Sequence, residues 1–367
     1  MPNQITGIYS CNDGGFYYAR FVGNARGGQI FWFGEHSSGA FSNVMFGELN
    51  VFGDGNFNVE NGRWWDVPKG SATGASSPTR PNSQLELQIE NNEIRKSLDS
   101  GAGFGGARWQ KIGAVPPRVG IKLSGFTGEG LTGVWLGNSG GAYYVRQVGS
   151  EVVWFGEACS PPGTPTSFAN VFVGTLAGSN VTGSWADVPY GGSSSLNSGS
   201  LSFRVEGDRL IRTGGTGSNT SWIRSQISDS TIISALQVTI TVASSTPGRN
   251  PDDIRQGSVE YGTIELTRGR TLPRVSLNEG RGLNPGQFDT TTIPLPPNTR
   301  LDELVSFTLE HDGAPRNVFD SYDNWDVGKV EIAIQTSAST CPGTIVTKSG
   351  QPFVRLTGEN RSVKIPI

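Results

Sequence analysis

The sequence is short of charge, histidine and cysteine, and each shortage closes off a class of function. Only 17% of its 367 residues are charged, with 29 Lys and Arg against 32 Asp and Glu, a net charge of −3. No Lys/Arg cluster is present to track a phosphate backbone, so no nucleic-acid partner is expected. With two histidines and three cysteines (Cys11, Cys159 and Cys341) and no CxxC pair, neither a zinc site nor a disulfide scaffold is expected. No run approaches the roughly 18 apolar residues of a membrane span, and no long 3.6-residue periodicity marks a long helix. The opening segment MPNQITG lacks a basic and apolar signal region. Low lysine content and a Ser/Thr/Asn/Gly-rich make-up still point to a secreted or surface protein, with the cytoplasm as the alternative.

What the chain does have is glycine and aromatic rings. Its 52 glycines are about twice the usual share, and nine tryptophans accompany them. That balance fits an all-β protein with many turns and aromatic-lined surfaces.

The most informative feature is an internal repeat. ITGIYSCNDGGFYYARFVG, from Ile5 to Gly23, returns as LTGVWLGNSGGAYYVRQVG from Leu131 to Gly149, and the likeness continues for about a hundred residues. The chain therefore divides into a first copy (1–113), a second (128–227) and an unrelated remainder (228–367), with a Pro116-Pro117 linker between the copies. In the second copy, short aromatic and β-branched runs alternate with Gly/Asn/Ser turns: GVWLGN, AYYVRQV, EVVWFGEA, FANVFVGTL, VTGSWADV, SLSFRVE, RLIRTG and TSWIRSQ. Eight antiparallel strands in about a hundred residues favour a closed barrel, because closure removes exposed edges. The remainder carries alternating runs such as LQVTITV and GKVEIAI, read as a β-sandwich of jelly-roll type.

Leu131-Thr132-Gly133-Val134-Trp135, followed by Asn138 and a glycine turn, resembles the opening strand of avidin-like and lipocalin-like barrels, where a tryptophan plugs one end. Val181-Thr182-Gly183-Ser184-Trp185 resembles a strand that recurs in the same barrels. The first copy departs from the pattern with Tyr9 in place of the tryptophan. The resemblance implies architecture rather than ligand, and the residue set that would argue for biotin is missing. PDDIRQGS and YDNWDVGKVEI in the remainder resemble segments of β-sandwich modules appended to secreted bacterial proteins.

Two motifs are lures. Gly137-Asn138-Ser139-Gly140-Gly141 is close to the segment around the nucleophile of trypsin-like proteases. The first copy, however, has Asp13 at the position of Ser139, and the upstream His36 lacks the expected flanks. Gly101-Ala102-Gly103-Phe104-Gly105 has no strand and helix around it to make a dinucleotide loop, and reads as a hairpin.

The residues retained in both copies are more telling. Arg20 pairs with Arg146, Glu35 with Glu157, Asn43 with Asn170, Asp66 with Asp187, Tyr18 with Tyr144 and Trp64 with Trp185. Tyr17, Trp32, Phe33 and Trp109 are matched by Tyr143, Trp154, Phe155 and Trp222. An Arg, two carboxylates, an amide and aromatic rings in each barrel would suit a sugar-binding pocket. The competing reading is a structural network, with Arg20 and Glu35 as a cross-strand ion pair. In the remainder, Asp320, Asp323, Asn324 and Asp326 crowd one loop, with Asp252 and Asp253 in an earlier one, an oxygen-rich set that would suit Ca²⁺.

The sequence thus leads to an all-β protein of two tandem eight-stranded antiparallel barrels followed by a β-sandwich. The expected function is non-catalytic binding of a glycan or cell-surface ligand, as in adhesion. The alternatives are a self-assembling subunit of a surface layer or fibre, and a glycoside-active enzyme using Glu35/Asp66 or Glu157/Asp187.

Overall fold

The computed structural model describes residues 5–24, 26–35, 41–51, 57–69, 84–90, 92–97, 100–101, 103–113, 128–157, 168–190, 196–225, 227, 230–248, 250–313, 322–336 and 339–367. Each repeat closes into its own barrel. The first is built from β1 (Gly7–Cys11), β2 (Phe16–Asn24), β3 (Gly27–Glu35), β4 (Phe41–Val51), β5 (Phe57–Pro68), β6 (Leu85–Glu90), β7 (Glu93–Lys96) and β8 (Arg108–Ile112). The second is built from β9 (Gly133–Gly137), β10 (Ala142–Val148), β11 (Glu151–Glu157), β12 (Phe168–Ala177), β13 (Asn180–Pro189), β14 (Ser198–Glu206), β15 (Arg209–Gly215) and β16 (Ser221–Arg224). Every strand pairs antiparallel with the next, and β8 and β16 return to β1 and β9 to close the rings. All eight strands read from the second copy are present.

Both interiors are aromatic. Tyr17, Trp32, Trp64 and Trp109 share the core of the first barrel, and Trp135, Trp154, Phe172, Trp185, Phe203 and Trp222 that of the second. Trp135 is fully buried at the start of β9 and donates Nε1–H to Leu131 O at 2.9 Å. Tyr9 makes the equivalent bond, its hydroxyl donating to Ile5 O at 2.6 Å, so the departure from tryptophan keeps the same tie to the residue four positions back. Ring packing also dictates one close backbone approach. A Cβ on Gly183 would lie 2.5 Å from Gly174 Cα and 2.7 Å from the Phe172 ring, so the β12–β13 pair needs glycine on both strands there.

The two barrels form one compact unit, Met1–Gln226, because their outer faces pack together. β2 and β3 lie against β12 and β13, while β10 and β11 lie against β4 and β5, an exchange related by a near two-fold axis. Tyr18 stacks on Phe33 with centroids 4.6 Å apart, and Phe33 meets Phe155 at 4.7 Å across the interface. Arg20 Nη1 donates to the backbone carbonyl of Asp187 at 2.7 Å, and Arg146 Nη1 to that of Asp66 at 2.5 Å, the same contact made in both directions.

Symmetry breaks where Lys69 stands in the first copy and Tyr190 in the second. Lys69 is 1% exposed, with Nζ 3.3 Å from Glu35 and 3.0 Å from Glu157, and sits over the Tyr144 and Phe155 rings. Tyr190 takes the mirror position, edge-on to Tyr18 and Phe33. One ammonium thus bridges a carboxylate from each barrel. The predicted Arg20–Glu35 staple is corrected accordingly: Arg20 bonds the other barrel's backbone, and Glu35 pairs with Lys69.

The second unit, Ile227–Ile367, is a two-sheet β structure. One sheet orders Phe288–Pro294, Ile233–Val242, Trp325–Thr336 and Ser339–Leu356; the other centres on Val259–Leu266 paired with Leu304–Asp312, which pairs with Ser362–Pro366. A single apolar cluster containing Ile240, Ile264, Phe307, Trp325 and Val330 joins the two sheets, as in a sandwich. Among the described residues, no helix is long and apolar enough to cross a membrane.

Breaking a buried ion pair by removing one partner costs about 3–5 kcal/mol, because the remaining charge stays desolvated. Lys69→Met should therefore destabilise the barrel unit by about that amount in urea unfolding, and adding Glu35→Gln and Glu157→Gln should restore most of it. A Lys69→Met protein as stable as the parent would contradict this role.

Candidate functional site

The candidate site is a cup inside the second barrel, a cavity of about 520 Å³, within the range of roughly 300–1,000 Å³ usual for small-molecule sites. Alternation along the strands explains its lining. Tyr143, Trp154, Asn170, Trp185 and Asp187 sit at inward positions of β10 to β13, and Trp222 on β16 completes the ring. Leu201, Thr216, Gly217, Ser218 and Asn219 complete one side, and Phe168, Asn197 and Ser198 lie at the ends of β12 and β14.

A hydrogen-bonded chain runs through the cup. Trp154 Nε1–H donates to Asn170 Oδ1 at 2.7 Å, Asn170 Nδ2 donates to Asp187 Oδ1 at 3.2 Å, and the backbone N–H of Asn197 donates to Asp187 Oδ2 at 2.9 Å. Burial holds the Asp187 carboxyl above its ordinary value, against the pull of these donors and of Arg20. Asn219 Nδ2 donates to the Tyr143 hydroxyl at 2.6 Å, and burial pushes that phenol up to about 12. Trp185 Nε1, by contrast, is buried with no hydrogen-bond acceptor among the described residues.

The first barrel builds the same chain. Trp32 Nε1–H donates to Asn43 Oδ1 at 3.1 Å, and Asn43 Nδ2 donates to Asp66 Oδ1 at 3.0 Å. Its cup is filled, however, by Phe104, whose ring centroid lies 4.7 Å from that of Trp64 and 5.8 to 6.3 Å from those of Trp109, Trp32 and Tyr17.

The expectation of one mixed pocket per barrel is corrected by these positions. Asn43, Trp64 and Asp66, with Asn170, Trp185 and Asp187, face inward; Tyr18, Arg20 and Glu35, with Tyr144, Arg146 and Glu157, face outward into the barrel–barrel interface. The outward set still touches the cup. Besides Asp187 O, Arg20 donates to Asn197 O at 2.6 Å and to Leu196 O at 3.2 Å, so a guanidinium from the first barrel braces the mouth of the second. The Ser139 hydroxyl donates to Asn219 Oδ1 at 2.6 Å within a glycine turn, in keeping with a structural reading of that motif; His36 lies outside the described residues. Sequence reasoning missed Phe104, Lys69, Asn197 and Asn219. The first two stand where the copies differ (Gly217 and Tyr190 are their counterparts), and that mismatch was the signal available.

In the second unit Asp320 lies outside the described residues, and Asp323, Asp326 and Asp252 are engaged. Asp326 is fully buried and accepts the Asp252 N–H at 2.8 Å, while Asp323 accepts the Arg255 N–H at 3.0 Å and the Ser258 hydroxyl at 2.8 Å. Asp252 pairs with Arg355 at 2.5 Å. Among the described residues, which leave out Asp320, no three His, Cys, Asp or Glu side chains are placed to hold a metal ion. The cluster instead surrounds a buried histidine. His311 Nε2 lies 2.6 Å from Asp323 O, which makes it a donor, and Nδ1 shares a proton with Glu260 Oε1 at 2.8 Å. No protein-family model matches the chain, and no curated protein matches it.

Burial favours the neutral imidazole, but the hydrogen bond and charge of Glu260 outweigh it, and His311 titrates above its ordinary value; Asp323, Asp312 and Tyr322 also face the pair. A value raised by folding contributes stability that is full below the ordinary histidine range, near 6.5, and is lost as pH rises through the raised value. The melting-temperature difference between the parent and His311→Gln should accordingly be largest in mildly acidic buffer and shrink at alkaline pH. A difference independent of pH would refute the shared proton.

Proposed function

We propose that this chain is a non-catalytic binding protein whose ligand site is the cup of the second barrel, and that its ligand is a hydroxyl-bearing ring of the glycan class. The observation that carries the reading is the open, aromatic-walled cavity with the Asn170–Asp187 pair in its wall and a rim of Thr216, Ser218, Asn219 and Asn197. Aromatic walls stack on the apolar C–H faces of a sugar, while planar amides and a carboxylate bond its hydroxyls. An eight-stranded barrel leaves room for filled side chains or one small ligand, and this molecule has one barrel of each kind. The likeness of β9 to the opening strand of avidin-like and lipocalin-like barrels agrees with a site inside the barrel. Secretion or surface display rests on composition alone.

Two observations bear on the alternatives. Glu35 and Asp66, like Glu157 and Asp187, stand on opposite faces of a barrel wall, so neither pair can flank one glycosidic bond as hydrolysis requires. The interface favours one element of the structural reading, since Tyr18, Arg20 and Glu35 and their counterparts join the two barrels into a rigid block whatever the cup binds.

Screening the intact chain on a glycan array, followed by titration of the hits, tests the proposal. The second barrel should not be tested in isolation, because Arg20 braces its mouth. Trp185→Ala and Asp187→Asn should each weaken binding at least about tenfold, roughly 1.4 kcal/mol. Unchanged affinity in folded variants would rule the cup out as the site.

A further inference from the structure

Resting on that reading of the second cup, we propose that the first barrel holds a second, latent site for the same class of ligand, and that Phe104 is its built-in occupant.

The walls are the same in both barrels. Tyr17, Trp32, Trp64 and Trp109 hold the positions of Tyr143, Trp154, Trp185 and Trp222, and the Asn43–Asp66 hydrogen bond repeats that of Asn170 and Asp187. What differs is the turn before the closing strand, which is three residues longer in the first copy, with 14 residues between Ile94 and Trp109 against 11 between Leu210 and Trp222. Counting back from the closing tryptophans Trp109 and Trp222, Phe104 falls opposite Gly217. The second copy has Gly217 there, with φ of 128°, in the region that favours glycine, and a cavity of about 520 Å³ is left among the same walls. The second cup therefore lacks the plug, not the space for it.

Phe104 is carried on a turn shaped by glycine. Gly101 and Gly103 have φ of 63° and 86°, in the left-handed region that glycine enters without strain. The turn is held by the Phe104 N–H donating to Gly101 O at 2.9 Å and by Lys96 Nζ donating to Phe104 O at 2.9 Å. These ties fix the backbone and leave the ring held by packing alone.

The plug satisfies the cup incompletely. Among the described residues, Trp64 Nε1 and Trp109 Nε1 are buried without an acceptor beside Phe104, just as Trp185 Nε1 is in the open cup. A hydrocarbon ring cannot accept an in-plane hydrogen bond from an indole, whereas a hydroxylated ring can. The first cup therefore keeps donors suited to a polar ring and holds an apolar one. Removing the Phe104 ring, or displacing it, exposes a site with the chemistry of the second cup and makes the chain bivalent.

Titration calorimetry on the full chain tests this, with phenyl β-glycosides of glucose, galactose, mannose and N-acetylglucosamine as probes. They combine a ring the size of the plug with sugar hydroxyls. The expected stoichiometry is one per chain for the parent and two for Phe104→Ala. If the parent and a folded Phe104→Ala both bind one, the latent site is refuted while the open cup stands. If neither binds any of the four probes, both proposals fail together. Binding by Phe104→Ala alone would support the latent site and refute the open one. Should Phe104→Ala not fold, Phe104→Val decides: two sites per chain support the latent site, and one overturns it.

Discussion

Consecutive side chains of a strand leave on opposite faces, and in a closed barrel one of those faces is the inside. The rest of this protein follows from that constraint. On β5 it sends Trp64 and Asp66 inward and Trp65 and Val67 outward; on β3 it sends Trp32 inward and Phe33 and Glu35 outward. The residues retained by the repeat are therefore two sets that interleave in sequence and separate in space. The inward set makes an indole–amide–carboxylate chain, and the outward set makes the surface on which the barrels join.

The two sets meet at Arg20 and Arg146. Each guanidinium stands on the outer face of one barrel and ends on a carbonyl belonging to an inward-facing Asp of the other. Joining the barrels and shaping the cups are thus one act, which accounts for the retention of both arginines. Two differences between the copies have opposite consequences. Lys69 against Tyr190 adapts the interface, where two ammonium groups facing each other across a near two-fold axis would repel and one satisfies a carboxylate from each side. Phe104, on the longer turn of the first copy, changes what a cup contains. The result is one open cup and one filled cup on the same frame.

Much of the architecture was legible because strand signals are local. The eight runs of the second copy, from GVWLGN to TSWIRSQ, all became strands, and their glycine turns fell where left-handed backbone is needed. The residues lining the cup were legible in part: Asn170, Trp185 and Asp187 were marked by retention, and their inward direction follows from period two. Arg20 and Glu35 were marked equally, and their alternation relative to Tyr18 and Phe33 was visible. What could not be read was which parity is inside, since both faces of these strands are buried, one by its own barrel and one by the neighbour. Phe104 and Asn219 sit in glycine-rich turns whose path depends on tertiary packing, and the aspartates near Trp325 read as free oxygens because their partners, Ser258, Arg255 and the Asp252 N–H, are distant in sequence.

The central claim is that two cups with matching walls differ in occupancy because the ring of Phe104 fills one of them. A high-resolution crystal structure of the intact, ligand-free chain tests it most directly. The account predicts Phe104 ordered among Tyr17, Trp32, Trp64 and Trp109, and ordered water in an otherwise open second cup. A second cup occupied by another segment of the chain, as Phe104 occupies the first, would contradict it.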